Sequence, residues 1–312
     1  MEQIIKPVET HLLKAELTKD KLIRKSIRGN NEIYVIDGYS SPALMQEIGR
    51  LRELAFRNAG GGTGLSADIE YLDLIPGLYH QLIIWDPVNQ SILGGYRYAL
   101  GRFTPYRTDG QPFWASSEYF KFSEKFIRNI MPYTIELGRS FVSCGYQSSR
   151  ANAGSIFALD NLWDGLAYIM ATKPYLKFFF GKMTMYSQYN KEARDLIHSF
   201  LRAFFSGDPS LLKPIFPVEQ EVKPIYTTDS FDIAFRLLKR KVQKLGVSIP
   251  PLISSYMKLT TQMQSFGTSH NINFGNVEET AILIDIHDIE TTIKKHLTSE
   301  EFINWENFHS NK

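Results

Sequence analysis

The segment from Tyr133 to Met183 constrains the fold more than any other part of the chain. It holds an apolar strand candidate, Tyr133 to Val142, then an irregular stretch, a helix candidate from Gly154 to Thr172, and a second apolar strand candidate, Leu176 to Met183. Two strands joined through a helix read as a β-α-β unit with parallel strands, because the helix carries the chain back to the edge where it started. Upstream, Glu32 to Asp37 reads as a strand, and Ser41 to Asn58 sets Leu44, Ile48, Leu51, Leu54 and Ala55 at helical spacing, with Ser41 as N-cap and Pro42 as first helical residue. His80 to Asp86 and Ile92 to Leu100 flank a turn at Pro87 to Gln90 and read as an antiparallel hairpin. Lys191 to Phe205 and Phe231 to Leu245 read as helices, Pro250 and Pro251 break the chain, and strands are expected at Gln262 to Ser265 and Thr280 to Ile286. The expectation is one α/β domain over residues 1–312: a mixed, mostly antiparallel central sheet flanked by helices. Residues 30–190 carry its core, 191–261 a helical insertion, and 262–312 the C-terminal strands and helix.

Composition narrows the function. With 43% apolar and 13% aromatic residues in 312, core material is ample and disorder is excluded. The most apolar helix candidate, Ser155 to Thr172, carries Asp160, Asn161 and Asp164, so no transmembrane helix is expected. Met1 to Pro7 has neither the basic nor the apolar region of a secretory signal, and a cytoplasmic location is expected. One cysteine, Cys144, excludes intrachain disulfides and cysteine-rich metal sites; with no histidine near it in sequence, it reads as a packed thiol. His198, His270 and His287 lack metal-ligand spacing, so no metal is expected. A net charge of +2 is too balanced to demand nucleic acid, and none is expected as partner. Gly60 to Gly64 lacks the Lys-Ser/Thr ending of a phosphate loop and reads as a mobile loop at the mouth of a site.

Several ordered pieces of the chain go together. They are Leu51-Arg52 with Phe56; Asp68, Glu70 and Asp73 before His80; Gly94-Gly95-Tyr96-Arg97; Glu136-Leu137-Gly138-Arg139-Ser140-Phe141-Val142; Trp163-Asp164-Gly165-Leu166; Phe180-Gly181; and Ile249-Pro250-Pro251-Leu252 before Tyr256. In order and spacing, from about Ile33 to Ile286, the chain resembles the acyltransferase branch of the GNAT superfamily. It is most similar to the hemolysin-like N-acyltransferases that make ornithine or glycine lipids, and more distantly to acyl-homoserine-lactone synthases. The resemblance implies a GNAT-like sheet whose β-α-β unit binds an acyl donor.

Acylating an amine needs a neutral nitrogen, donors for the oxyanion and a route for a proton. Glu136 is the candidate base, because it lies in an apolar strand that strips water from its carboxyl. Positions 136 and 139 have opposite parity in a regular strand, but a β-bulge at Gly138 would turn Arg139 toward the face of Glu136 and leave an amide for a carbonyl oxygen. The structural alternative is an ion pair between Glu136 and Arg139 at a sheet end. Asp68, Glu70 and Asp73 could converge on the ammonium of an amino-acid acceptor, or form a solvated acidic loop. In the lactone synthases the matching acidic positions, with the arginine matched by Arg97, help form the acceptor or active site. His80 could relay a proton near neutral pH, or simply open a strand.

On the donor side, the resemblance implies binding along Phe141 and Val142 and at the loop leading through Arg150 to Gly154. That loop, Gln147 to Gly154, departs from the Arg/Gln-x-x-Gly-x-Gly/Ala pattern that grips a coenzyme A pyrophosphate at a helix N-terminus. The expected donor is therefore an acyl-phosphopantetheine arm on acyl carrier protein in preference to acyl-coenzyme A, with no bound cofactor. Arg150, Lys173, Lys177 and Lys182 would meet that acidic partner. The expected enzyme places a long acyl chain, 3-hydroxylated chains included, on the α-amine of glycine or ornithine; Phe178, Phe179 and Phe180 suit a tunnel for the chain, although plain core is the stronger reading for any one of them. The alternative is a non-catalytic membrane-surface or lipid-binding protein. It rests on Phe231 to Leu245, where Phe231, Ala234, Phe235, Leu238, Val242 and Leu245 oppose Arg236, Lys239, Arg240 and Lys244. Either reading allows peripheral contact with the inner membrane surface.

Overall fold

A computed structural model describes residues 1–146, 157–219, 228 and 230–309. The chain forms two compact units, the first built from Met1–Thr104, Ile135–Lys177 and Glu290–Lys312, the second from Pro105–Thr134 and Phe178–Ile289. Elements are numbered along the chain.

The first unit carries strands β1 (Leu22–Lys25), β2 (Glu32–Asp37), β3 (His80–Asp86), β4 (Ser91–Leu100) and β6 (Thr134–Val142), hydrogen-bonded in that order. All four pairings are antiparallel, and the predicted hairpin is the β3–β4 pair. Its helices are α1 (Thr10–Glu16), α2 (Pro42–Ala59), α4 (Ala158–Thr172), α8 (Glu290–Lys294) and α9 (Ser299–His309). From Gln81 to Asp86 every residue of β3 is buried, as expected of a strand covered on both faces. One cover is α2, whose stripe of Leu44, Ile48, Leu51 and Ala55 faces inward. The other is α4, where Gly165 lies against Leu82. Gly49 sets the depth of α2: a Cβ there would stand 2.5 Å from Ile69 Cγ1, so only glycine lets the helix come down on the 68–69 segment. The amide of Asp68 donates to the carbonyl of Gly49 at 3.0 Å, which ties the acidic segment to the helix.

The start of α2 differs from expectation. Ser41 does not cap it; its hydroxyl accepts from Lys21 Nζ at 2.9 Å. The carboxylate of Glu16 accepts instead from the amides of Ala43 and Leu44, at 3.0 and 2.8 Å. A carboxylate satisfies two orphan donors and adds a charge favoured at a helix N-terminus, so it displaces a hydroxyl cap. The helix expected from Gly154 is described from Ala158; residues 154–156 lie outside the described residues, and with them the predicted donor residues Arg150 and Gly154.

The second unit carries β7 (Phe178–Met185), β10 (Val277–Asp285) and β9 (Gln264–Asn271) as an antiparallel set, and a ribbon of β5 (Phe120–Phe122) with β8 (Leu212–Pro214). Helices α3 (Glu124–Asn129), α5 (Lys191–Phe204), α6 (Phe231–Lys244) and α7 (Pro251–Leu259) complete it. The segment 191–261, expected to be helical, thus contributes a strand, β8, because residues 120–122 offer it a pairing edge. Strands β9 and β10 run longer than their apolar patterns suggest. Their inward hydroxyls satisfy one another, as Thr268 and Thr280 do at 2.7 Å.

Two lipid-related readings meet their structural alternatives here. Phe180 is fully buried, stacked on Trp114 at 5.7 Å and edge-on to Phe122 and Phe126, so it is core and not a tunnel wall. The apolar face of α6 is spent within the unit: Ala234, Leu238 and Val242 are buried, and Phe231 and Phe235 pack on Phe200 of α5. This removes the feature on which a membrane-binding face rested. Among the described residues no helix is long and apolar enough to cross a membrane.

Candidate active site

Cross-strand register in the first unit sorts the site residues onto two faces. His80 pairs with Tyr98 and Tyr98 with Leu137; the next row is Gln81, Arg97 and Gly138; Ala99 pairs with Glu136. Successive rows point to opposite sides of the sheet. Gln81, Arg97, Glu136 and Gly138 therefore share the side of α2, and His80 shares the other side with Tyr98, whose ring lies 5.2 Å away. Of the two readings of His80, proton relay or strand opening, the register bears only on position: its ring stands on the face opposite Glu136. Burial depresses the His80 pKa; Asp37 opposes the shift and Lys173 adds to it.

On the α2 side the hydroxyl of Tyr79 donates to Glu136 Oε2, and the Arg97 guanidinium lies over the Tyr79 ring at 4.6 Å. Around this pair stand the buried Arg52 and Arg97, the half-buried Arg139 and the three predicted carboxylates. Arg97 Nη1 donates to Glu70 Oε2 at 2.6 Å and lies 3.4 Å from Asp73 Oδ2. Arg139 Nη2 donates to Glu70 Oε1 at 2.6 Å, and its Nε forms an ion pair with Asp68 Oδ2 at 2.8 Å. Arg52, reaching down from α2, donates from Nη2 to Gln81 Oε1 and sets Nη1 3.6 Å from Asp73 Oδ1. Gln81 in turn donates to Asp73 Oδ1 at 2.9 Å.

This lattice corrects the view of an ammonium-binding acidic cluster. Asp68 and Asp73 have no exposed side-chain surface and are committed to arginines, whereas the Glu70 side chain is 32% exposed and is the member that reaches the surface. Electrostatics separate the three further. Burial pushes the Asp73 carboxyl up, but Arg97, Arg52 and the amide of Glu70 together hold it below the usual carboxylate range. For Asp68, burial wins over Arg139 and Arg52, and its pKa is raised. Burial works against the charge of Arg97, yet Glu70 and Asp73 drive its pKa well above the ordinary value.

A bulge is present where β4 meets β6. Gly95 pairs with Phe141 and Arg97 with Gly138, so Arg139 and Ser140 together oppose Tyr96. The unusual backbone belongs to Arg139, at φ 49°, and not to Gly138. A left-handed non-glycine residue costs about 1–2 kcal/mol. Here the two carboxylate contacts of Arg139 hold it in place.

Phe141 is buried and Val142 half-buried at the end of β6. Lys182 belongs to the second unit, where its Nζ lies 2.5 Å from Glu279 and 4.6 Å above the Tyr119 ring, its side chain only 13% exposed. A partner inside the fold has neutralised it, so it is no free docking charge. Cys144 is exposed and not packed. The glycine loop is pinned rather than loose: Glu53 accepts from the Thr63 amide at 3.0 Å, the Thr63 hydroxyl at 2.8 Å and the Gly64 amide at 2.8 Å.

Arg52, Tyr79 and Gln81 join the site without having been expected there. Arg52 left a signal: it follows Ile48 by four residues and so falls on the buried stripe of α2, where a charge needs a partner. Gln81 interrupts an otherwise apolar strand. Nothing local marks Tyr79.

The model of an acetyltransferase (GNAT) domain matches residues 51–155, the span that holds this site. A glycine N(alpha)-acyltransferase of Phocaeicola vulgatus is 47% identical over 305 residues, covering 96% of this chain and 94% of the relative. One of Bacteroides thetaiotaomicron is 48% identical over 294 residues, covering 93% of this chain and 87% of its own. No solved structure matches the chain. Likeness of this degree along nearly the whole length, on a mixed α/β fold of antiparallel strands flanked by helices, shows that the chain belongs to the GNAT family of N-acyltransferases.

Proposed function

We propose that the chain transfers a long acyl chain, 3-hydroxylated chains included, from the phosphopantetheine thioester of acyl carrier protein to the α-amine of glycine. This would be the first step in making an amino-acid lipid. The names of the two relatives support glycine over ornithine. The observation that carries the chemistry is the buried Glu136 carboxylate, oriented by Tyr79 and flanked by Arg97.

Glu136 takes the proton that turns the ammonium of glycine into a nucleophilic amine. The amine attacks the thioester carbonyl, a C–N bond forms and the C–S bond breaks. The second amine proton leaves with the thiolate as a thiol, and the proton held on Glu136 passes to solvent. The ordered charges of Arg97, Arg139 and Glu70 need no rearrangement during this sequence, which is how a preorganised site lowers a barrier. The product is an amphiphile suited to a membrane surface, and a cytoplasmic enzyme releasing it would touch that surface peripherally.

The test is direct assay of purified protein with acyl carrier protein and coenzyme A thioesters, each offered glycine and ornithine, with products read by mass spectrometry. N-acylglycine formed faster from the carrier-bound chain is the expected result. Absence of any N-acyl amino acid would sink the reading; equal use of acyl-coenzyme A would remove only the carrier protein from it.

A further inference from the structure

The residue facing Arg97 across the β4–β6 ladder is Gly138. Arg97 is buried, and its Nη1 is spent on Glu70 and Asp73, but among the described residues its Nε–H has no hydrogen-bond acceptor. A buried donor left unsatisfied is costly, more so when charged, so an acceptor brought to that point is strongly favoured. A Cβ built on Gly138 would find Arg97 Nε at 4.0 Å and, its chain neighbours aside, no nearer atom, so nothing stands between this backbone and the guanidinium edge. Gly138 is itself half-buried, so the Arg97 edge lies directly beneath a residue that reaches the surface. Glu136 lies two residues away on the same face, about 7 Å along an extended strand. That distance suits an α-amino acid hydrogen-bonded at both ends, its amine to the carboxylate and its own carboxylate to the guanidinium.

Building on the reading of glycine as acceptor, we propose that the open backbone of Gly138 and the Nε–H of Arg97 seat the acceptor's carboxylate. Gly138 is then a specificity-determining residue: it admits amines that carry an adjacent carboxylate. Its backbone is outside the left-handed region and the 4.0 Å contact is ordinary van der Waals distance, so Gly138→Ala is compatible with the fold while its methyl crowds the approach of a carboxylate to Arg97 Nε.

Two measurements test this. The first compares glycine with glycinamide on the wild-type enzyme, at pH values chosen so that the free-amine concentrations match. Because a charge-assisted hydrogen bond is lost, kcat/KM for glycinamide should fall at least about tenfold. The second is Gly138→Ala, for which KM for glycine should rise at least about tenfold with kcat within about threefold, as expected when ground-state binding is removed. Glycinamide used as efficiently as glycine, or a folded Gly138→Ala enzyme with the wild-type KM, overturns the inference. The glycinamide arm needs no variant and stands even if the substitution disturbs folding. A wild-type enzyme that acylates no glycine would instead overturn the assignment of the acceptor.

Discussion

Tyr79 and Glu136 are joined by a hydrogen bond from the phenol to the carboxylate, across the strand that lies between them. The bond fixes the direction of a buried carboxyl group. Glu136→Gln should keep the bond and the volume and lose the proton acceptor. Turnover is expected to fall by about 10²–10⁴, the usual contribution of a positioned base, with the thermal midpoint little changed. Tyr79→Phe should cost less, because it removes the orientation and not the base. A Glu136→Gln enzyme that loses stability but keeps full activity per folded molecule would make the carboxylate structural.

Asp68 and Glu70 both hold Arg139, yet the consequences of removing them should differ. Asp68 has no exposed side-chain surface, and Asp68→Asn leaves buried guanidinium charge short of a partner; breaking such a pair costs about 3–5 kcal/mol. Glu70 opens to solvent, and Glu70→Gln should cost about 1 kcal/mol or less. Urea unfolding of the two variants checks the order, and equal losses would contradict it.

His80 carries a pH prediction. Its folded pKa is depressed by burial, so the stability linked to its neutral form is fully present above the unfolded value of about 6.5 and is lost as pH falls through the folded value. Unfolding curves between pH 7.5 and 5 should therefore be less steep in pH for His80→Gln than for the wild type. Activity should stay within about threefold of wild type at pH 7.5, since the ring faces away from Glu136. A large loss of turnover in a stable variant would return His80 to the proton route.

Lys182→Met should weaken the second unit, because it strands Glu279, which is 2% exposed, without its cation. The salt dependence of donor use should not change. Unfolding measurements and steady-state rates at two ionic strengths decide this. A stable variant with a flattened salt dependence would make Lys182 a docking residue after all.

Much of the first unit was legible before any tertiary structure. The β3–β4 hairpin follows from two apolar runs around a turn, and α2 from its apolar spacing, since period and turn chemistry are local properties. The acidic residues and Glu136 could be singled out because carboxylates near apolar strands are unusual. Their partners could not. Arg139 is three residues from Glu136 in the chain, but the bulge and its left-handed backbone hand it to Asp68 and Glu70, which lie about seventy residues upstream. Arg52 and Gln81 meet at Asp73 only because Gly49 lets α2 descend on the 68–69 segment. His80 and Gln81 are neighbours in sequence and fall on opposite faces, so strand register alone excluded the first and admitted the second. Sequence determined which residue types were available and which local elements they form. Which charges neutralise one another was decided in the tertiary structure, because a buried ion pair depends on distances of 3–4 Å between segments that no local pattern relates.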